Sequence, residues 1–347
     1  MRTRYVNTAS TVGTQDGTTT TAGNSGTAAF ATWDQFLDWL VANDATLSDS
    51  YTLEMFGSTD DTTDVVINGL TMGANTMLCR GYRSDAAGFN DDDNSLISTG
   101  HYTHVSSARN VDINEQNVTI DGAQFENSTG TAFRSCIKFS NTTGTVARNN
   151  RCRNTGSTRT AIGHEGGAIS GSGTLTIENN IVSGFDTSGV ELISAAFATP
   201  TYNVMRNAVY GKAGGGTGVN ITRGSSFGGT INVKANAIGN CGTDITVGGS
   251  GGTVNFDSNA TEDVNGHTNE IAIGTLTDAW ASPGTAQASD FSIKDTSSSL
   301  YDSSLATGLP ANDCKDIAYV TDDVGPYAFP GGGGGSIPKH LLMIGCG

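Results

Sequence analysis

The residues best suited to acid–base chemistry lie in the middle of the chain, where His164 is followed directly by Glu165 and Glu178 comes shortly after. A histidine beside a carboxylate can transfer protons near neutral pH, because its unperturbed pKa is about 6.5. The segment Gly163-His164-Glu165 has no further motif of a known active site around it. His164, Glu165 and Glu178 are therefore the candidate catalytic residues, although the sequence favours a non-enzymatic role.

Four acids, Asp121, Glu126, Glu178 and Glu191, raise a second possibility, the hydrolysis of a glycosidic bond. That reaction needs two carboxyl groups roughly 5–10 Å apart. Stacked strands lie about 4.8 Å from one another, so neighbouring repeats of a stacked fold would supply such a pair. The sequence does not fix the register between repeats, and the alternative is that each acid is a single exposed side chain.

Clustered charges are the third feature with possible chemistry. Asp91, Asp92 and Asp93 are the candidate metal ligands, since carboxylate oxygens bind hard cations such as Ca²⁺. They lack the alternate spacing of an EF-hand loop, which favours a solvated acidic turn and predicts no metal and no cofactor. The basic residues cluster too, and we expect them to be solvated corner residues. They are Arg148, Arg151, Arg153 and Arg159.

A recurring phrase predicts the elements that position these side chains. Its copies are TVARNNRCRN at 145–154, TIENNIVSG at 176–184, NVMRNAVYG at 203–211, NVKANAIGN at 232–240 and NFDSNATED at 255–263, with TIDGAQFEN at 119–127 as a copy without the asparagine. The aligned asparagines are Asn149, Asn180, Asn207, Asn236 and Asn259, spaced 31, 27, 29 and 23 residues apart. We interpret them as a ladder of turn formers, because Asn tolerates the left-handed backbone conformation.

The repeats predict an all-β fold. Each phrase is followed by a second run in which apolar and polar residues alternate, as in Gly218–Thr222, and no helical periodicity intervenes. A period near 27 residues indicates a single right-handed parallel β-helix, a solenoid with about 23–31 residues per coil. A helix from Thr32 to about Asn43, with Thr32 and Gln35 placed for a capping box, is predicted to cover its open N-terminal end. Its expected apolar face is Phe36, Leu37, Trp39, Leu40 and Val41.

Composition excludes several classes of protein. The formal net charge of −16 makes nucleic acid a poor partner, because binding it depends on Lys and Arg at the phosphates. No stretch approaches the 18 apolar residues of a membrane span, and the N-terminus has no apolar export signal. The six cysteines lack metal-ligand spacing, which favours buried free thiols.

Three other segments carry a family resemblance. SLYDSS at 299–304, DVGPYAF at 323–329 and RYVNTASTVGTQDGTTT at 4–20 resemble the closing and opening elements of the pectate-lyase-like superfamily of right-handed parallel β-helix proteins. The last peptide, PKHLLMIGCG, is similar to the ends of phage-encoded virion β-helix proteins. The resemblance covers residues 4–329 and implies the fold more than a function. A stiff solenoid with a polar exterior, the lack of an export signal, a net acidic excess and an apolar tail after a run of glycines favour a structural role on the exterior of a tailed bacteriophage particle, as a capsid decoration, fibre or spike protein.

These expectations divide the chain into an N-terminal strand and capping helix (1–50), a β-helix with its closing segment (51–329) and an extended C-terminal tail (330–347). Five glycines form a hinge before an apolar docking peptide. Its predicted docking residues are Ile337, Leu341, Leu342, Met343 and Ile344. The expected partners are other virion proteins or further copies of this chain, which would form a homo-oligomer such as a trimer. A cell-surface glycan is a further expected partner. The alternative function is a polysaccharide lyase or glycoside hydrolase of the depolymerase type.

Overall fold

The computed structural model describes most of the chain up to residue 274 and isolated positions beyond it. The described residues are 1–57, 59–81, 102–106, 111–127, 135–140, 143–154, 160–163, 172–194, 199–212, 215–263, 266–274, 276, 280, 298–300, 304, 306–307, 309–310 and 323–325. Within these ranges the chain forms short β-strands and one α-helix.

The elements follow one another in a repeating order. The N-terminal elements are β1 (Arg2–Asn7), β2 (Thr14–Gln15), β3 (Ser25–Gly26), α1 (Trp33–Asp44), β4 (Tyr51–Phe56), β5 (Val65–Ile67), β6 (Met77–Gly81), β7 (Thr103–Ser106), β8 (Val111–Ile113), β9 (Val118–Asp121), β10 (Gln124–Asn127) and β11 (Ile137–Phe139). The central elements are β12 (Thr145–Arg148), β13 (Arg151–Asn154), β14 (Thr160–Gly163), β15 (Thr174–Glu178), β16 (Ile181–Phe185), β17 (Ser188–Ile193), β18 (Thr201–Met205), β19 (Ala208–Gly211) and β20 (Thr217–Thr222). The remaining elements are β21 (Phe227–Lys234), β22 (Ala237–Gly239), β23 (Thr243–Gly248), β24 (Gly251–Asp257), β25 (Ala260–Thr261) and β26 (Ile271–Ala272).

Apart from β2 and β3, which pair only with each other, these strands stack into three parallel sheets, which makes the fold the predicted parallel β-solenoid. Sheet 1 has the order β1-β4-β6-β9-β12-β15-β18-β21-β24, sheet 2 the order β26-β25-β22-β19-β16-β13-β10-β7, and sheet 3 the order β23-β20-β17-β14-β11-β8-β5. A coil therefore passes through sheet 1, then sheet 2, then sheet 3. Each coil pairs with the next in parallel register, as β15 does with β18.

Alternation along each strand separates the core from the outer surface. On sheet 1 the inward positions form one apolar row across successive coils, and every member is fully buried. Burying an Ile, Leu or Val side chain contributes about 1.5–3 kcal/mol relative to leaving it exposed. The row is Leu53, Cys79, Ile120, Ala147, Ile177, Val204 and Val233.

The corner between sheets 1 and 2 turns on one residue in the left-handed conformation. Glycine occupies this position at Gly122, where φ is 67°. The later coils use other residues there, and a side chain in this conformation costs roughly 1–2 kcal/mol. They are Asn149, Asn179, Arg206, Ala235 and Ser258, with φ of 57°, 55°, 51°, 52° and 54°.

The helix α1 begins as the sequence predicts, with one difference in its cap. The Thr32 hydroxyl accepts a hydrogen bond from the Gln35 backbone N–H at 3.2 Å. The Gln35 side-chain oxygen accepts from the N–H of Ala31 at 2.8 Å, one residue earlier than a capping box requires. The carboxylate of Asp61 accepts from Trp33 N–H at 2.8 Å, which satisfies a helix-end donor and links the helix to the coils.

One face of α1 covers the core at the N-terminal end. Its buried residues are Trp33, Phe36, Leu37 and Leu40. The Phe36 ring lies 6.3 Å from that of Tyr51 in β4, measured between centroids. The predicted face was too broad, since Val41 is 41% exposed. The helix surface facing the coils is narrower than the run of apolar residues.

A second apolar cluster lies on the outer face of sheet 2, against residues from near the C-terminus. Val324 N–H donates to the Leu300 carbonyl at 2.9 Å, and Gly325 N–H donates to that of Ala235 at 2.9 Å. The cluster thus joins distant parts of the chain across the later coils. Its buried members are Ile181, Ala208, Ala235, Ala237, Ala260, Ile273, Trp280, Leu300 and Val324.

Candidate functional site

The repeat asparagines form a buried amide ladder immediately after the left-handed corner. In each rung, both the backbone N–H and the side-chain N–H of one asparagine donate to the side-chain oxygen of the next, as from Asn180 to Asn207 at 3.0 Å each. The side-chain N–H groups also donate to a carbonyl of a preceding coil, as from Asn207 to Ile177 at 3.0 Å. The ladder is Asn150, Asn180, Asn207, Asn236 and Asn259, and each is fully buried.

Two points of the sequence prediction are therefore wrong. The first ladder position is Asn150, whereas Asn149 is the left-handed corner residue and donates from Nδ2 to Asp121 at 2.8 Å. At Asn180, Asn207, Asn236 and Asn259 the preceding residue adopts the left-handed conformation, so these four asparagines do not make the bend, whereas Asn149 does, as predicted. Ala123 occupies the ladder position of the earlier coil, and its N–H donates to the Asn150 side-chain oxygen at 3.1 Å. The amides stabilise the contacts between coils, and because they are fully buried they are not available to bind a ligand.

Alternating charges follow the outer face of sheet 1 just before this corner. We call them the charged row, which is Glu54, Arg80, Asp121, Arg148 and Glu178 in consecutive register. At its centre Asp121 is only 1% exposed. Its carboxylate accepts from Arg80 at 3.2 Å and from Arg148 at 3.0 Å, in addition to Asn149. A carboxylate bound by three donors is held as a structural anion and has little capacity left for a metal or a substrate.

Glu178, at the C-terminal end of the charged row, differs from Asp121. Within the described residues its carboxylate has no hydrogen bond and no ion pair within 4 Å. Burial raises the pKa of Glu178, the nearby Arg148 opposes that shift, and Asp121 adds to it. A partly buried carboxyl with a raised pKa is suited to proton transfer. Of the predicted catalytic residues, Glu178 is the one that the structure describes.

The arginines of this region are not the solvated corner residues that we expected. Arg148 lies in β12 and contacts Asp121, while Arg153 lies in β13 and contacts Glu126 at 2.6 Å. Arg151 is 4% exposed. The acids of the two ion pairs, Asp121 and Glu126, lie on the preceding coil, 27 residues away along the chain. The sequence next to Arg148 and Arg153 therefore contains no acidic partner, because the fold brings the partner from another coil.

Sheet 3 also carries outward polar and charged side chains, of which the sequence prediction named Glu191 but not Asp112 or Lys138. Lys138 Nζ lies 2.8 Å from the Asp112 carboxylate, and both side chains are mostly buried. Two coils further, the Glu191 carboxylate accepts from the Thr160 hydroxyl at 2.7 Å. Between them stands Gly163, in register with both Lys138 and Glu191. The signal for these side chains was the outward position of each residue in a short alternating strand.

Gly163 has a steric reason to be glycine. Its φ is 148°, and a Cβ atom there would lie 2.0 Å from the carbonyl oxygen of Glu191 on the next coil. The glycine of the Gly163-His164-Glu165 segment is thus explained by the contact between coils and needs no catalytic reason. His164 and Glu165 themselves lie outside the described residues, as does Arg159.

The remaining predicted sites also lie outside the described residues. They are the acidic run Asp91, Asp92 and Asp93, and the docking peptide with Ile337, Leu341, Leu342, Met343 and Ile344. Among the residues described, no group of three or more His, Cys, Asp or Glu side chains is arranged to hold a metal ion. In the same part of the chain, no helix has the length and apolar character needed to cross a membrane.

The thiols in the described part of the chain are free, as predicted. Cys79, Cys136 and Cys152 are buried, and Cys241 is partly buried. Burial raises the pKa of Cys79 and of Cys152, and a contact with Cys136 raises the pKa of Cys152 further. Thiols held in the protonated form are poor nucleophiles and metal ligands. They serve as small apolar side chains of the core.

Comparisons with known proteins add little to this geometry. No family model matches the sequence, and no curated protein matches it. A solved structure described as "Crystal structure of pectate lyase Pel9A" aligns with 94% of this chain and 96% of that chain, at 11% sequence identity and a TM-score of 0.37. A likeness at this level supports no conclusion about activity. The structure itself defines the class of the protein, a parallel β-solenoid.

Proposed function

We propose that this protein is a structural component on the exterior of a tailed bacteriophage particle, a capsid decoration, fibre or spike protein whose solenoid projects outward. The observation that carries the proposal is the use of the outward acids. Asp121, Asp112 and Glu126 are each bound by lysine or arginine instead of converging on a groove. Such pairing favours a stable rod over a catalytic site.

The construction of the solenoid supports the same role. Successive coils are joined by parallel strand pairing, by the buried amide ladder and by ion pairs between neighbouring coils. A one-dimensional stack of this kind is stiff along its axis, since each coil packs on the next. The sequence resemblance of the last peptide to the ends of virion β-helix proteins supplies the assignment to a phage. Its partners would be other virion proteins or further copies of this chain, with a trimer as one arrangement.

Mass spectrometry and antibody labelling of purified particles test the proposal. We expect the protein in stoichiometric amounts on intact particles, with the antibody reaching it from outside. Its absence from purified particles would refute the role. The docking peptide is tested by a Leu341→Asp/Leu342→Asp variant, expected to lose attachment, against a control variant with Lys339→Ala. Equal incorporation of both variants would exclude docking through the apolar residues.

A second function, cleavage of a polysaccharide as a lyase or hydrolase, is favoured by Glu178 alone. Its pKa is raised, and Arg148 stands beside it in register, where a guanidinium would stabilise negative charge on a sugar. The backbone of Asp121 lies two strand spacings, about 10 Å, from that of Glu178. Its carboxylate oxygens already accept hydrogen bonds from Arg148 and Asn149. Glu178 would therefore have to transfer the proton without a second free carboxylate in the described part of the row.

Incubation with a panel of acidic and neutral polysaccharides separates the two functions. An enzyme would release oligosaccharides or unsaturated sugars, and Glu178→Gln would lower the rate by roughly 10²–10⁴-fold. Asp186→Asn is the matched control, because that half-buried acid pairs with Lys212 away from the charged row. His164→Ala and Glu165→Ala test the remaining candidates. No cleavage across the panel would leave the structural role standing.

A further inference from the structure

Two outward rows of uncharged polar side chains cross strands β15, β18, β21 and β24 of sheet 1. The threonine row is Thr174, Thr201, Thr230 and Thr253, and the amide row is Thr176, Asn203, Asn232 and Asn255. Together we call them the polar face. The residues between the two rows point inward, so the polar face belongs to the outer surface of four successive coils.

Hydrogen bonds order the amide row in one direction. Asn255 Nδ2 donates to the Asn232 side-chain oxygen at 2.9 Å, and Asn232 Nδ2 donates to that of Asn203 at 2.9 Å. Asn203 Nδ2 lies 3.5 Å from the Thr176 hydroxyl. A carboxamide has two N–H donors and an oxygen with two lone pairs, so the chain of bonds leaves one donor on each asparagine. These groups are held in place before any ligand arrives, which lowers the entropy cost of binding.

The threonine row adds a second line of hydroxyls. Thr174 and Thr253 are exposed, while Thr201 and Thr230 are half-buried. Their hydroxyls have no hydrogen-bond partner among the described residues, so each can donate and accept. The rows repeat at the strand spacing of about 4.8 Å and lie two residues, about 6.7 Å, apart along each strand. Four coils therefore present a regular two-row array about 14 Å long.

The uncharged hydroxyl and amide groups of the polar face indicate which class of ligand it can bind. None of its eight side chains is ionisable, and a chain of net charge −16 repels acidic polymers. It also contains no aromatic or Arg side chain of the kind that anchors protein interfaces. A polymer of sugars offers repeated hydroxyl groups, which pair with amides and hydroxyls directly or through water.

We infer that the polar face binds an uncharged polysaccharide that runs along the solenoid axis across these four coils. Equivalent groups on successive coils contact successive sugars, so affinity grows with the length of the glycan. The inference deepens the proposed function, because it rests on a solenoid that projects outward and meets glycans. It assigns the contact to sheet 1 and to neutral sugars, and it requires no catalytic residue.

Affinity electrophoresis of the full-length protein tests the inference. The probes are dextran, galactomannan, xyloglucan and mixed-linkage β-glucan, with polygalacturonate and alginate as acidic comparators. We expect retardation by at least one neutral polymer and by neither acidic one. Thr201→Val/Thr230→Val removes two hydroxyls while keeping β-branched shape, and should weaken binding about tenfold. Thr174→Val/Thr253→Val provides a second, more exposed pair of changes.

The matched control is Thr246→Val, an exposed position on the outer face of sheet 3. It should bind as the unchanged protein does, and thermal melts should show all variants folded. Retardation by no neutral polymer, retardation by acidic polymers alone, or equal binding by Thr201→Val/Thr230→Val would overturn the inference. So would dissociation of an oligomer by the same double variant in sedimentation velocity, because the polar face would then contact a second copy. Attachment to phage particles is measured separately, so either idea can fail without the other.

Discussion

Replacing Asn207 with alanine would interrupt the buried amide ladder in the middle of the solenoid. The Asn207 side-chain oxygen accepts from both the backbone and side-chain N–H groups of Asn180, each at 3.0 Å. Its Nδ2 donates to the carbonyls of Ile177 and Met205 and to the side-chain oxygen of Asn236. Alanine removes all five bonds, and the cavity it leaves lies inside the core.

The expected loss of stability follows from the groups left without a partner. The Asn180 backbone N–H and the Ile177 carbonyl lose side-chain partners in a buried corner. Each buried polar group left unsatisfied costs about 1–3 kcal/mol. We therefore expect Asn207→Ala to lower the free energy of unfolding by about 4 kcal/mol. Asn255→Ala is the matched control, because that exposed amide makes one side-chain bond, and its removal should cost less than about 1 kcal/mol.

Urea unfolding followed by circular dichroism measures the difference between the two variants. Hydrogen exchange gives a local measurement, since Asn180 N–H should exchange slowly in the unchanged protein and much faster in Asn207→Ala. The reasoning would be refuted if Asn207→Ala shifted the unfolding midpoint no further than Asn255→Ala. Unchanged protection at Asn180 would show that another acceptor replaces the amide.

Three further outcomes can be checked. Ala235→Gly should change stability by less than about 1 kcal/mol in urea unfolding, because glycine relieves the strain of the left-handed conformation at φ of 52° but loses a methyl group buried in the second apolar cluster. Burial raises the pKa of Asp244 from 3.8 to about 6, so the fold favours its protonated form. The contribution of Asp244 to stability should therefore fall as pH rises from about 4 to about 6, and Asp244→Asn should remove that contribution and gain about 1 kcal/mol at pH 7 relative to the unchanged protein, measured by melts across pH. Cys79 and Cys152, whose thiols have raised pKa values, should react with a thiol reagent only after unfolding, and rapid reaction in the folded protein would contradict their burial.

Local patterns predicted the elements well. The alternating run Gly218–Thr222 falls within β20. The helix predicted from Thr32 to about Asn43 is α1, Trp33–Asp44. These predictions succeeded because alternation, capping and turn preference act over a few residues, so that the information lies within each segment.

The candidate site was predicted much less completely. Glu178 was identified, but its place beside Arg148, and the capture of Asp121 by two arginines, depend on register between coils. The partners are 27 and 41 residues apart along the chain. A shift of one residue in pairing would turn each of these side chains inward. The arginines consequently seemed solvated although their acids lay on a neighbouring coil.

The asparagines show most clearly which features the sequence determines and which depend on the tertiary structure. Their period determined by itself that the chain forms stacked coils, and it identified four of the five ladder residues. Only the tertiary structure decided that Asn150 and not Asn149 faces the core, and that the residue before each ladder asparagine makes the bend. The physical reason is that one asparagine side chain suits either a left-handed turn or a buried amide. Its choice depends on the partner that the neighbouring coil brings within hydrogen-bonding distance.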